Sequence, residues 1–73
     1  MDNEISINEE KIKQAFNSNL KIHIVLRDKT FRNGTIIKIE RDFFIIKDKI
    51  NREEPIFFLE IYNVEPYMEE EKK

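Results

Sequence analysis

The chain has 73 residues, no cysteine, a single histidine and a net charge of -2. That length suits one domain with a small core, and the missing cysteines and lone His23 exclude disulfide or zinc stapling, which leaves a partner subunit as the remaining aid to stability. No apolar run approaches the roughly 20 residues that cross a bilayer, and Met1 leads into DNEISINEE rather than a basic and then apolar leader, so a soluble, cytoplasmic protein is expected.

The first element in chain order is a short helix. Ser6-Ile7-Asn8-Glu9 fits a capping box, with Asn8 as an alternative cap, and Glu9 and Glu10 suit the positive end of a helix dipole. Ile12, Ala15 and Phe16 share one apolar stripe, and Asn17-Ser18-Asn19 ends the helix. From Leu20 the period switches to two. Leu20, Ile22, Ile24 and Leu26 point one way and Lys21, His23, Val25 and Arg27 the other, the pattern of a strand with one buried face.

Asp28-Lys29 and Arg41-Asp42 are turn candidates on either side of a long run, Thr30 to Glu40, whose alternation fails at Ile36-Ile37. Phe43-Phe44-Ile45-Ile46 reads as a strand buried on both faces. Asp48 to Glu54 is a charged loop closed by Pro55, and Ile56 to Leu59 forms another apolar block. Ile61, Val64 and Tyr67 continue the strand pattern before an acidic tail, and no internal repeat is present.

Asn33-Gly34 is ordinarily a strong hairpin signal. A reversal there would leave flanking strands of about a dozen residues, with Arg27-Asp28-Lys29 stranded inside one of them. Turns at Asp28-Lys29 and Arg41-Asp42 instead place Gly34, the only glycine, within a long strand, where it permits a sharp bend or bulge. The second arrangement is expected, and it accounts for the broken alternation at Ile36-Ile37.

Charge is sorted along the chain. Residues 1–10 carry four acids and no base, residues 11–52 eleven bases and four acids, and residues 53–73 seven acids and two bases, giving segments of -4, +7 and -5. A basic middle between acidic ends marks either an anion-binding surface or a solvated surface whose tails keep it soluble. Catalysis has little to stand on: with no cysteine and only Ser6 and Ser18 near the helix, no set of nucleophile, base and orienting group is apparent around His23.

Two stretches resemble a known family. IVLRDKTFRNGTIIKIERDFFIIKD is similar to the first Sm-like motif, with Leu26, Gly34, Ile36, Ile39 and Glu40 on its offsets. PIFFLEIYNVEP resembles the second motif as it occurs in the bacterial Hfq branch, with Ile61, Val64 and Pro66 in place. The Sm-like resemblance implies an all-β fold: a small five-stranded, SH3-type barrel over residues 8–67 with a short N-terminal helix. A flexible segment 1–7 would precede it and an acidic tail 68–73 would follow it. It also implies a homo-oligomeric ring, a hexamer or heptamer, that binds single-stranded RNA without catalysis, cofactor or metal. The chain departs from the family at Lys29, where a turn glycine is usual, at Arg41-Asp42, and at Phe57-Phe58-Leu59, which replaces the Tyr-Lys-His signature of the Hfq pore.

The inherited RNA site is therefore largely lost, and the expected one is built from other residues. A basic rim with aromatics for base stacking points to Lys29, Phe31, Arg32, Arg41, Lys47, Lys49 and Phe57. Core packing is the competing role for Phe31 and Phe57. The competing function is a protein-interaction or structural small-barrel module that has lost RNA binding, with Phe57-Phe58-Leu59 as an apolar edge.

Overall fold

A computed structural model describes residues 3–67, one helix followed by five strands and a single 3-10 turn. Helix α1 spans Asn3–Ser18, and the strands are β1 (Lys21–Leu26), β2 (Phe31–Ile39), β3 (Phe43–Lys47), β4 (Glu53–Phe57) and β5 (Ile61–Pro66). A 3-10 turn, Phe58–Glu60, links β4 to β5. All pairings are antiparallel and the strand order is β4-β3-β2-β1-β5. β4 and β5 are the edges of this one sheet, so the strands do not close into the complete cylinder that the barrel expectation implied. The acidic tail expected over 68–73 lies outside the described residues.

Gly34 lies inside β2, opposite Ile22, and the chain does not reverse there. Instead the reversals fall at Arg27–Thr30 and Glu40–Asp42, as the turn residues predict. The β1–β2 turn is held by Asp28, whose carboxylate accepts from the Thr30 hydroxyl at 2.6 Å and from the Thr30 N–H at 3.1 Å. Those two donors, the hydroxyl first, hold the Asp28 carboxyl below its ordinary value. The break in alternation at Ile36-Ile37 is a bulge: the β2–β3 register shifts between Ile36 and Lys38.

The core is built from one face of the sheet. Ile22, Ile24 and Leu26 of β1, Ile36 of β2, Phe44 and Ile46 of β3, Ile56 of β4 and Ile61 and Val64 of β5 are buried together with Phe58. Helix α1 closes this face by contributing Ile12 and Ala15. The alternating pattern drives the arrangement, because period-two apolar residues on a twisted sheet leave one face needing a cover.

Four expectations are corrected. The helix begins at Asn3, so Ser6 to Glu9 is helix interior rather than a cap, and Asn8 is buried on the docked face beside Ile12 and Ala15. Phe16 lies off that stripe and is 40% exposed. Leu20 precedes β1 and is exposed, since the residue before it, Asn19, adopts a left-handed φ of 56° that ends the helix. β3 is buried on one face only, with Phe43 and Ile45 half-buried on the other.

β4 also differs from its expected extent. It starts at Glu53, within the stretch read as loop, and includes Pro55, while Phe58 to Glu60 leave the strand for the 3-10 turn. A proline fits there because β4 is an edge strand whose outward donor is dispensable.

Candidate functional site

An open-sided groove of about 1060 Å³ lies where the ends of β1 and β2, the end of β3, the start of β4 and Tyr67 after β5 meet the loop between β3 and β4. Its floor is β2 against β3. A Cβ built on Gly34 would lie 2.3 Å from the Lys47 carbonyl oxygen, so the two strands approach there as only glycine permits. That close approach brings Lys47 to the groove.

The loop wall is preorganised by one carboxylate. Asp48 accepts from the backbone N–H groups of Ile50 at 3.0 Å and Arg52 at 2.9 Å, and its other oxygen accepts from Arg52 Nε at 3.2 Å. The Arg52 backbone donor, followed by its side chain, keeps the Asp48 carboxyl below the ordinary 3.8. Asn51 completes the turn with φ 68°, a conformation asparagine tolerates better than most residues. The loop holds Ile50 out in solvent, 64% exposed, at the groove.

The opposite wall comes from the ends of the domain. Because β1 and β5 are neighbours, the Tyr67 N–H donates to the Lys21 carbonyl at 3.0 Å, and the Lys21 ammonium sits 4.9 Å from the centre of the Tyr67 ring. Phe31 stands 58% exposed on the outer face, leaning on the His23 ring with centroids 5.3 Å apart. His23 Nδ1 in turn donates to the Asn33 side-chain oxygen, so His23 serves as a support for Phe31 and Asn33.

The cations divide into two groups. Arg32 of β2 donates to Glu54 of β4 at 2.9 Å. The hydrogen bond to Glu54 holds Arg32 more firmly protonated than an ordinary arginine. Arg52 is paired with Asp48. For Lys21, Lys47 and Lys49, no carboxylate lies within 4.0 Å among the described residues, and with Glu53 also on the lining these three leave the groove an excess of positive charge.

Of the seven residues expected from sequence, Phe31, Arg32, Lys47 and Lys49 line this groove. The other three lie elsewhere. Lys29 occupies the β1–β2 turn with φ 77° and Arg41 the β2–β3 turn. Phe57 packs on Phe43, with ring centroids 5.4 Å apart, and borders a smaller cleft with Leu26, Pro55 and Leu59. Lys21, Asn33, Ile50 and Tyr67 join the groove without having been singled out as a group. The pairing of β1 with β5 that assembles half of them is non-local, and no short motif encodes it.

Neither a protein-family model nor a curated protein matches the chain. Among the described residues no group of three or more histidine, aspartate or glutamate side chains is placed to hold a metal ion, and no helix is long and apolar enough to cross a membrane.

Proposed function

We propose that this chain is a non-catalytic, Sm-like domain that binds single-stranded RNA in the groove between Lys21, Phe31, Lys47 and Tyr67. The observation that carries this reading is the co-location of three lysines, none with a carboxylate within 4.0 Å among the described residues, with two accessible rings. Single-stranded RNA offers the matching chemistry: a backbone that cations track and unpaired bases whose faces stack on aromatics. Lys47 and Lys49 would lie along phosphates, Phe31 would take a base, and Asn33 would offer its amide to a base edge. Strand order and the 3-10 turn before β5 support the Sm-like part of the proposal, as do the motif spacings. RNA of this kind is met in the cytoplasm, consistent with the expected location.

Fluorescence anisotropy with short uridine-rich and adenine-rich RNAs tests the reading. Binding is expected at low salt, and Lys47→Glu with Lys49→Glu should flatten the dependence of log affinity on log salt by about 1.4, or 0.7 per lost phosphate contact. Phe31→Ala is expected to weaken binding by about 1–3 kcal/mol, roughly 5- to 150-fold. No binding by the unaltered chain at low salt would favour the interaction-module reading, for which the exposed Phe57 and Leu59 beside the smaller cleft are the supporting feature.

A further inference from the structure

Asn33 enters the groove with one half of its amide already committed. Its side-chain oxygen accepts from His23 Nδ1, whereas no described residue accepts from its side-chain nitrogen. We infer that His23, the only histidine, is a positioning residue that holds this amide with its donors toward the groove, so that the site selects bases by a carbonyl, as in uracil, and against the amine edge of adenine. This selection rests on the groove taking single-stranded RNA.

Strand pairing sets up the arrangement. His23 of β1 lies directly opposite Asn33 of β2, and Val25 opposite Phe31, so these four side chains share the face of the sheet turned away from the core. Ile22 and Ile24, which alternate with His23, are buried on the other face with helix α1. Phe31 and Asn33 are two residues apart on one strand, about 6.6 Å by ordinary strand rise. A base stacked on the exposed Phe31 ring therefore carries an edge to Asn33. His23 braces both residues, with its ring centred 5.3 Å from that of Phe31 and its Nδ1 on Asn33, but it does not itself line the groove. On its other side His23 faces Glu65 of β5, whose carboxylate instead accepts from Asn63 Nδ2 at 2.9 Å. No carboxylate lies within 4.0 Å of His23 among the described residues, which leaves its Nδ1–H to Asn33.

The tautomer decides what a base meets. An amide oxygen can only accept, so the contact with Oδ1 places the imidazole proton on Nδ1. β2 lies between β1 and β3, and the amide is planar, so an oxygen turned toward β1 leaves the nitrogen on the opposite branch, toward β3 and Lys47. Two N–H donors then await the base. Uracil answers with carbonyl oxygens. Adenine presents its amine beside a ring nitrogen, a pair that asparagine reads by using its oxygen and its nitrogen together. Here His23 holds the oxygen, so the adenine amine meets donors only, and a buried donor left unmatched is costly.

Nitrogen-15 chemical shifts of the free protein read which ring nitrogen of His23 carries the proton. Nδ1 is expected; a proton on Nε2 alone would make Nδ1 an acceptor, turn the Asn33 amide the other way and overturn the inference before any RNA is added. Fluorescence anisotropy with short oligouridine and oligoadenosine then reads the selection. The unaltered chain is expected to prefer oligouridine by at least about fivefold, the lower end for a matched base contact. His23→Phe keeps a ring behind Phe31 but frees the Asn33 oxygen, and with circular dichroism unchanged it should lower that ratio by about fivefold, to near parity. Asn33→Leu, which leaves His23 in place, should lower it equally. A merely structural role for His23 would weaken both RNAs together and leave their ratio intact. An unchanged ratio in either folded variant, or a preference of the unaltered chain for oligoadenosine, overturns the inference while RNA binding stands. Binding of neither RNA by the unaltered chain removes the groove reading itself and this selection with it.

Discussion

Gly34 matters because of what lies against it rather than for its own backbone angles. Its φ is not in the left-handed region, but any Cβ would press into the Lys47 carbonyl. Gly34→Ala is therefore expected to destabilise by about 1–3 kcal/mol, the range of core overpacking, with Gly34→Val worse. Thermal melting should show the alanine variant falling by roughly 4–8 °C per kcal/mol for a domain of this size. An unchanged midpoint would mean that β2 and β3 can separate at no cost. Lys29 is the converse case, a long side chain held at φ 77°. Left-handed backbone costs a non-glycine residue roughly 1–2 kcal/mol, and glycine gives back about 0.4–1 kcal/mol through the freedom of its unfolded chain. Lys29→Gly should thus stabilise by about 0.5–1 kcal/mol in urea unfolding.

Helix α1 holds its place by a narrow stripe. Ile12 is fully buried against the sheet while Phe16, one residue past Ala15, is on the flank. Ile12→Ala is expected to cost about 2–5 kcal/mol, and Phe16→Ala well under that, although the larger side chain is removed. Denaturant titration of the two variants side by side reads the difference, and equal losses would mean that the docked face is wrongly placed. The β3–β4 loop makes a different prediction, because it hangs on an ionised Asp48. A carboxyl whose folded pKa is depressed stabilises fully above its ordinary 3.8 and progressively less as pH falls through the lower folded value. The Ile50 and Arg52 amide resonances should shift together in that acidic window. Asp48→Asn should abolish the transition, and a transition surviving it would assign the titration to another group.

At the scale of the whole molecule, local chemistry was legible and distant pairing was not. Asp28-Lys29 and Arg41-Asp42 read as turns because turn residues act within four positions, and Gly34 read as mid-strand because a reversal there would strand Arg27-Asp28-Lys29 inside an arm of about a dozen residues. The helix start was misread: capping residues are a local signal, and Asn8 instead went into the packed interface between α1 and the sheet. Pro55 read as a boundary because a lone sequence does not say which strand will be an edge. One part of the groove, Phe31, Arg32, Lys47 and Lys49, follows from basic and aromatic residues in β2, β3 and the loop after β3. The wall made by Lys21 and Tyr67 required knowing that β1 lies beside β5.

That last adjacency gives the molecule an unplanned instrument. The chain has no tryptophan and two tyrosines; Tyr62 lies on β5 away from the groove, while the Tyr67 ring rests under the Lys21 ammonium at its wall. Any polyanion entering would draw that ammonium away and bring its own chromophores beside the phenol. Intrinsic emission, with Tyr62→Phe removing the bystander, is then a label-free gauge of occupancy that the fold carries from the start.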